Sequence, residues 1–462
     1  MFNLRDTIAA ITTPQGTGGI AGIRISGADS WGIAKKIFET AKRRNGETAK
    51  EPFNHMHALH GYIKDNEKII DEVVLIPFKS PKSFTSEDVI EIYCHGGKQI
   101  PLMILNLCFK YGARQAKAGE FTFRAFINGR IDLTEAEAIN EIINAESDKA
   151  VFSASEILSG SLKDKLNKFK NKFLTLITSI ESSIEFPMDV PDYQKSEVIS
   201  ELENINKELE ELLQSSDDGQ VLRNGVKVSI IGAPNVGKSS LLNQLLENQR
   251  AIVTGTPGTT RDTIEEKAVI EGLPFVFIDT AGIREDNYLS EPEKIGIERS
   301  KKAVSLSDIL LFVFDVSAGI DKETEKIFKI TEKKTKILVG NKIDLIENTK
   351  MTAEAACDIY ISAKYGTNIE LLKKQLVEKT KKVTQSSGLK AQYFYINQRQ
   401  KELLLQSSSE INTATEMLEK NEPEDLIAEI LKKALSKLDE VSGSKTNEEV
   451  IKNIFAKFCI GK

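Results

Sequence analysis

A chain of 462 residues is long enough for about three domains of ordinary size, at roughly 100–200 residues each. Its formal net charge of −6 argues against broad electrostatic capture of nucleic acid, while leaving room for a local basic patch. Cys94, Cys108, Cys357 and Cys459 lie far apart with no C-x-x-C pair, which fits a reducing compartment better than a disulfide frame or a zinc site. With no membrane-length apolar run and no basic-then-apolar leader at the start, a cytoplasmic protein is expected.

In residues 1–118, the stretches 8–12, 20–26, 73–78 and 89–95 are short, β-branched and bounded by Gly, Pro or Ser, which predicts strands. Residues 31–40 and 101–109 read as helices, so this segment is an α+β domain. Gly16, Gly18 and Gly19 hint at a dinucleotide fingerprint, but a strand pattern follows them where a helix would have to begin. A hairpin turn is the better reading. His55, His57 and His60 invite a metal hypothesis. In a strand His55 and His57 would share a face and His60 would take the other, with no carboxylate or thiol completing a set, so structural histidines are expected.

Residues 119–223 change to long amphipathic helix. Leu162, Leu166, Phe169, Phe173, Leu176, Ile180 and Ile184 recur at helical steps, as do Val198, Leu202, Ile205, Leu209 and Leu212, with a break at residues 186–191. The texture returns in residues 384–462 with Leu426, Ile427, Ile430, Leu431, Ala434, Leu435 and Leu438. Two helical segments with unburied apolar faces predict one discontinuous bundle into which residues 224–383 are inserted. Two separate helical domains would give the same periodicity.

Residues 224–383 alternate strand and helix as a doubly wound sheet requires, and their loops carry the chemistry. Asn235, Val236, Gly237, Lys238, Ser239 and Ser240 lie between a strand pattern and an apolar helix, which is a phosphate-binding loop. Lys238 can reach the outer phosphates, and the Ser239 hydroxyl suits a magnesium ion that bridges two of them. Thr254, Gly255, Thr256, Pro257, Gly258, Thr259 and Thr260 form a loop that can close over that ion. Asp279, Thr280, Ala281 and Gly282 follow a strand, placing a carboxylate near the metal's water shell and a glycine N–H near the terminal phosphate. Asn341, Lys342 and Asp344, then Ser362, Ala363 and Lys364, would build the base pocket, with Asp344 accepting the two ring-edge N–H groups of guanine. Each pattern is weak alone; in this order, each at a strand end, they specify GTP.

The set resembles the translation-factor-like branch of small GTPases but departs from the Ras pattern. Ile283 stands where Ras-like enzymes carry the glutamine that orients the attacking water, so another group must do so. The side-chain carbonyl of Asn235 suits a monovalent cation such as potassium, or equally a local hydrogen bond; spacing leaves both open.

Residues 21–27 (A-G-I-R-I-S-G), 84–88 (F-T-S-E-D), 118–121 (A-G-E-F) and 459–462 (C-I-G-K), added to the nucleotide motifs, resemble the MnmE (TrmE) family of tRNA wobble-uridine modification GTPases over essentially the whole chain. The resemblance implies a multidomain α/β protein: an α+β folate-binding N-terminal domain, a discontinuous α-helical bundle domain and an inserted Ras-like P-loop GTPase domain. It implies a potassium-stimulated GTP hydrolase that homodimerises through its N-terminal domain, with transient dimerisation of the G domains. It implies a flavoprotein partner, MnmG, in a heterotetramer. Together they would install an aminomethyl or carboxymethylaminomethyl group at C5 of the wobble uridine (U34) of certain tRNAs, from 5,10-methylenetetrahydrofolate, with 5-formyltetrahydrofolate as an analogue.

By motif match, Asn235, Thr254, Thr256 and Thr259 would surround potassium, and Ser239 and Thr260 would bind magnesium. Lys238 and Glu293 would be catalytic, Glu293 orienting water through a bridging water. Arg24, Glu87, Arg130 and Lys462 would contact folate. Without the resemblance, Glu293 reads as a solvated helix-start carboxylate, and Arg24 and Arg130 as surface ion pairs. Cys459 stays outside the catalytic set. The competing expectation is a regulatory or ribosome-assembly GTPase, which would share every nucleotide motif.

Overall fold

The computed structural model describes residues 4–14, 16–41, 53–145, 147–186, 193–246, 265–278, 307–318, 324, 328–329, 331, 334–346, 357–383 and 396–462. The chain divides into two compact units. One comprises Met1–Asn140, Leu158–Gln194 and Ser409–Lys462; the other comprises Glu141–Ile157 and Lys195–Ser408.

The first unit is built on a seven-stranded sheet of β1 (Ile8–Ile11), β2 (Ile20–Ser26), β3 (Phe38–Thr40), β4 (Leu59–Asp65), β5 (Lys68–Phe78), β6 (Val89–His95) and β7 (Arg114–Gln115), in the order β3-β4-β5-β6-β2-β1-β7. Side chains alternate between its faces. Ala21, Ile23 and Ile25 of β2 and Ile90, Ile92 and Cys94 of β6 pack with Ile33 and Ile37 of α1 (Ser30–Ile37) and Ile104 and Leu107 of α2 (Ile100–Lys110). The intervening positions Arg24, Ser26, Glu91 and Tyr93 take the opposite face.

The helix expected over residues 31–40 ends at Ile37, and Phe38 turns extended, with φ −112° and ψ 134°. Phe38–Thr40 instead pairs antiparallel with β4, where Gly61 leaves room for the Phe38 ring that a Cβ would strike. Pairing with a neighbour outweighs local helix pattern here. The strand expected to start at residue 73 reaches back to Lys68, because Asn66, at φ 55°, turns the chain directly out of β4. His55 and His57 lie before β4, and His60 lies within it. Met56 has φ 56° in a turn; His55 Nδ1 accepts from the Lys79 N–H at 3.0 Å, and His60 pairs with Glu72 at 2.8 Å. Among the described residues no group of three metal-capable side chains occurs.

Past the short helices α3 (Glu120–Ile127) and α4 (Leu133–Asn144), and α5 (Asp148–Leu158), runs α6 (Ser161–Glu185), which buries Leu162, Leu166, Phe169, Phe173, Leu176 and Ile180 as its periodicity predicts. Ile184, the penultimate residue of the helix, is 41% exposed instead. Two long helices, α7 (Lys195–Asn224) and α10 (Gln398–Glu419), flank the second unit's sheet in sequence; then come α11 (Glu424–Ser442) and α12 (Glu448–Phe455). α11 buries Ile427, Leu431, Ala434 and Leu438 and packs on α6, with Lys170 donating to Asp439 at 2.9 Å and Ser442 at 2.8 Å. Each buried apolar side chain contributes about 1.5–3 kcal/mol. The exposed Lys432–Glu181 pair contributes about 0–1 kcal/mol. The apolar stripe, and not the surface charges, therefore holds these helices together. The break expected at residues 186–191 lies mostly outside the described residues.

The second unit holds a six-stranded sheet of β8 (Val226–Ile231), β9 (Glu265–Ile270), β10 (Leu273–Ile278), β11 (Ile309–Asp315), β12 (Lys336–Asn341) and β13 (Ile359–Tyr360), ordered β13-β12-β11-β8-β10-β9. All neighbours are parallel except β9 on β10. Its central strands are apolar on both faces, as a covered parallel sheet demands. Leu241 and Leu245 of α8 (Lys238–Leu246) and Leu372 and Leu376 of α9 (Ile369–Val383) cover one face. Leu310, Phe312 and Phe314 fill a smaller cluster on the other. The first strand in sequence, β8, sits in the middle, with later strands laid down on both sides. That reversal is where doubly wound sheets open a ligand crevice at the strands' C-terminal ends.

No helix among the described residues is long and apolar enough to cross a membrane.

Candidate functional site

The loop from Gly232 to Gly237 leaves the C-terminal end of β8 and enters α8 at Lys238. Gly237 has φ 99°, and a Cβ there would collide with Nδ2 of Asn341; only glycine allows both the turn and that close approach. Lys238 Nζ donates to the carbonyls of Gly232 at 3.0 Å and Ala233 at 2.8 Å, which lays its ammonium over the loop. Ser239 and Ser240 follow in the first turn of α8, where free N–H groups and the helix dipole favour an anion.

Asn341 closes β12 and is only 2% exposed. Its Nδ2 donates to the Val236 carbonyl at 2.8 Å, and its Oδ1 accepts from the Ala363 N–H at 2.9 Å. One side chain thereby ties the phosphate loop to both base-pocket loops. Lys342 adopts φ 69° and places Nζ 2.7 Å from Asp315 Oδ2 at the end of β11. Burial alone would raise the Asp315 pKa, but hydrogen bonds from Lys342 and Ser317 outweigh it and hold the carboxyl below its usual range. Asp344 is exposed, and its Oδ1 accepts from the buried Ser362 hydroxyl at 2.6 Å, which aims the carboxylate. Lys364 stands over the Tyr365 ring, 5.0 Å from its centroid.

The structure thus gathers Val236, Gly237, Asn341, Asp344, Ser362 and Ala363 through direct bonds and approaches, with Lys238 on the same loop. Asn235, at φ 61°, is exposed at the loop tip. Thr254, Gly255, Thr256, Pro257, Gly258, Thr259, Thr260, Asp279, Thr280, Ala281, Gly282 and Glu293 lie outside the described residues. The cradle of N–H groups, the Lys238 charge and the Ser239 hydroxyl are the donor set that a magnesium-bound triphosphate requires.

A second cluster lies on the opposite face of the first unit's sheet. Arg24 donates through Nε to Glu91 Oε1 at 2.9 Å and through Nη2 to the same oxygen at 2.8 Å. Its guanidinium carbon lies 4.4 Å from the Phe84 ring centroid and 5.5 Å from that of Phe121. Arg130 is exposed, stands 5.1 Å from the Phe84 ring and donates to the Phe84 carbonyl at 3.0 Å. Lys462 is near enough to feel Arg24: burial first, then the Arg24 charge, holds its pKa below the usual range. The Lys462 carbonyl accepts from the Phe121 N–H at 3.3 Å, which pins the tail to α3. Glu87 Oε2 accepts from Ser26 Oγ at 2.6 Å and from Arg124 Nη1 at 3.1 Å. The partner of Arg24 is therefore Glu91, and Glu87 is held from the other side.

Sequence reasoning missed Phe84, Glu91 and Arg124. Arg24 and Glu91 are direct cross-strand partners, a relation visible only once the register is known. Arg124 is fully buried on α3, donating to Asp6 Oδ1 at 2.8 Å, to Glu87 and to Glu120, while Arg114 joins Asp6 at 2.8 Å and Glu120 at 2.6 Å. Cys459 is exposed, and Cys94 and Cys108 are buried thiols whose pKa burial pushes up to about 11 and about 12.

The chain matches two described families: MnmE helical domain over residues 133–459, and GTP-binding protein TrmE N-terminus over residues 7–130. It is 38% identical over 464 residues to the tRNA modification GTPase MnmE of Thermotoga maritima, covering 99% of this chain and 100% of that protein. It is 40% identical over 472 residues to the namesake from Carboxydothermus hydrogenoformans, covering 99% and 100%, and 38% identical over 464 residues to that of Lactobacillus gasseri, covering 99% and 98%. Identity sustained over the full length of such relatives, on a sheet that brings phosphate-loop and guanine-pocket motifs together, makes the chain a member of the MnmE family of tRNA modification GTPases.

Proposed function

We propose that this protein hydrolyses GTP with potassium stimulation and uses that cycle, with a flavoprotein partner of the MnmG type, to modify the wobble uridine of certain tRNAs. The group added at C5 is aminomethyl or carboxymethylaminomethyl, and its one-carbon unit comes from 5,10-methylenetetrahydrofolate. The observation that carries the nucleotide part is the Asn341 tie between Val236 and Ala363, which sets the phosphate cradle and the guanine-selecting Asp344 in one frame.

In this reading Lys238 and the α8 N-terminus hold the outer phosphates, and Asp344, aimed by Ser362, accepts the two N–H groups on the guanine edge. Ser239 and Thr260 hold magnesium, and Asn235, Thr254, Thr256 and Thr259 hold potassium. When bound, these ions supply the positive charge that offsets charge building on the phosphates. Glu293 orients the attacking water through a second water. The water oxygen bonds to the γ-phosphorus as the bridge to GDP breaks, giving GDP and phosphate. Arg24, Glu87, Arg130 and Lys462 bind the tetrahydrofolate carrier, whose pterin edge suits a carboxylate and whose glutamate tail suits the cations. The domain plan is a folate-binding segment over residues 1–118, a helical domain over residues 119–223 and 384–462, and a GTPase domain over residues 224–383. The N-terminal domain makes the homodimer, G domains pair transiently during hydrolysis, and the cytoplasmic assembly with the flavoprotein is a heterotetramer.

Nucleoside analysis of tRNA from cells lacking the protein tests this reading. Loss of the C5 modification on wobble uridine is the expected result, and an unchanged nucleoside profile contradicts it.

A further inference from the structure

Among the described residues, Arg24 Nη1 is buried and has no hydrogen-bond partner, although Nε and Nη2 of the same guanidinium are both engaged by Glu91. Buried donors in folded proteins are nearly always paired, so an orphan of this kind needs an explanation. The group is also closely fixed. Glu91 Oε1 takes the Nε–Nη2 edge, the Phe84 ring lies 4.4 Å from the guanidinium carbon, and the Phe121 ring lies 5.5 Å away. Glu91 is itself held, because the Tyr93 hydroxyl donates to its second oxygen, Oε2, at 2.6 Å. Tyr93, Glu91 and Arg24 thus form a line in which every bond except the last is made inside the protein.

We propose that Glu91 and Tyr93 are positioning residues that present Arg24 Nη1 to an acceptor oxygen of the bound one-carbon carrier, a reduced pterin with a glutamate tail. This rests on the folate reading above and adds to it two residues which that reading does not use. The geometry divides the labour. Glu91 takes Nε–H and one N–H of Nη2, leaving Nη1 as the nitrogen with no acceptor inside the protein, and the Tyr93 hydroxyl holds Glu91 in place. Tyr93 serves as a proton donor over the whole working range, since burial, and then its bond to Glu91, pushes its pKa up to about 12. Arg24 has a planar fork that a lysine lacks, so an Arg24→Lys variant keeps the charge and loses the divided geometry.

The test is calorimetry of the full chain with 5-formyltetrahydrofolate. Glu91→Gln weakens binding by about 10–100-fold and Tyr93→Phe by about 3–10-fold, as expected for losing bonds to charged groups. Tyr93→Phe keeps the ring and removes one hydroxyl from a partly exposed side chain, so its unfolding midpoint stays close to that of the parent. In an Arg24→Lys background the Tyr93→Phe loss disappears, because the two act on one donor. If the parent binds and both single variants bind as tightly, or if the Tyr93→Phe loss is the same in either background, the positioning role is wrong. If the parent itself gives no binding, the folate reading falls and this inference falls with it.

Discussion

The side-chain amide of Asn341 spans two loops, donating to the Val236 carbonyl at 2.8 Å and accepting from the Ala363 N–H at 2.9 Å while only 2% exposed. A residue expected to touch nucleotide through its place in a motif is, in the structure, the pin that registers the phosphate loop against the base pocket. Asn341→Ala removes both bonds and leaves a buried carbonyl and N–H unpaired, a loss of about 1–3 kcal/mol per group. GTP and GDP affinity, read by fluorescent-nucleotide titration, are both expected to fall by about tenfold or more, whereas equal affinity of variant and parent would make the pin dispensable.

Asn235 motivates a cation experiment. It sits exposed at φ 61° on the loop tip, its backbone turned out of the helical path. GTP turnover is expected to rise when potassium replaces sodium at equal ionic strength, and Asn235→Ala to abolish the difference. Equal rates in both salts would remove the monovalent-cation argument.

For Glu293, the expectation is a split between binding and rate. With an isoleucine after Gly282, no glutamine orients the water, so Glu293→Ala should leave nucleotide affinity nearly intact and slow single-turnover hydrolysis by about 100-fold or more. Unchanged turnover would remove Glu293 from the catalytic set.

The buried ion network around Arg124 predicts a stability effect with a defined pH window. Hydrogen bonding from Arg114, outweighing burial, holds the Asp6 carboxyl below its ordinary pKa of 3.8, with Arg124 adding to the effect. A depressed pKa means that the ionised form is favoured by folding. Its contribution is therefore complete above about pH 4 and is lost as pH falls through the folded value. Asp6→Asn is expected to lower the unfolding midpoint at pH 7, the gap from the parent narrowing as pH falls below about 4. A gap independent of pH would exclude an ionic contribution. Arg124→Met, which strips a fully buried cation from three carboxylates, is expected to cost about 3–5 kcal/mol.

The convergence of the phosphate loop with Asn341, Ser362 and Ala363 was legible because each of those motifs is local. Residues 226–240 announce strand, turn and helix within one stretch, and the strand-end positions of Asn341 and Ser362 follow from runs of apolar residues. The apolar stripe of α6 was legible for the same reason, its period being a property of one segment. What escaped depends on partners distant in sequence. Phe38–Thr40 became a strand because β4 lies beside it, and Glu91 became the partner of Arg24 through a cross-strand register. Arg124 meets Asp6 across 118 residues, a relation that helix periodicity on α3 does not encode.

The central claim, that GTP cleavage in one part of this chain serves one-carbon transfer to the wobble uridine of tRNA, is tested most directly by complementation. Cells lacking the protein would be supplied with the parent, Lys238→Ala or Arg24→Ala, and the nucleosides of their tRNA quantified. Only the parent is expected to restore the C5 modification. Full restoration by Lys238→Ala, whose ammonium lies over the phosphate loop, would contradict it.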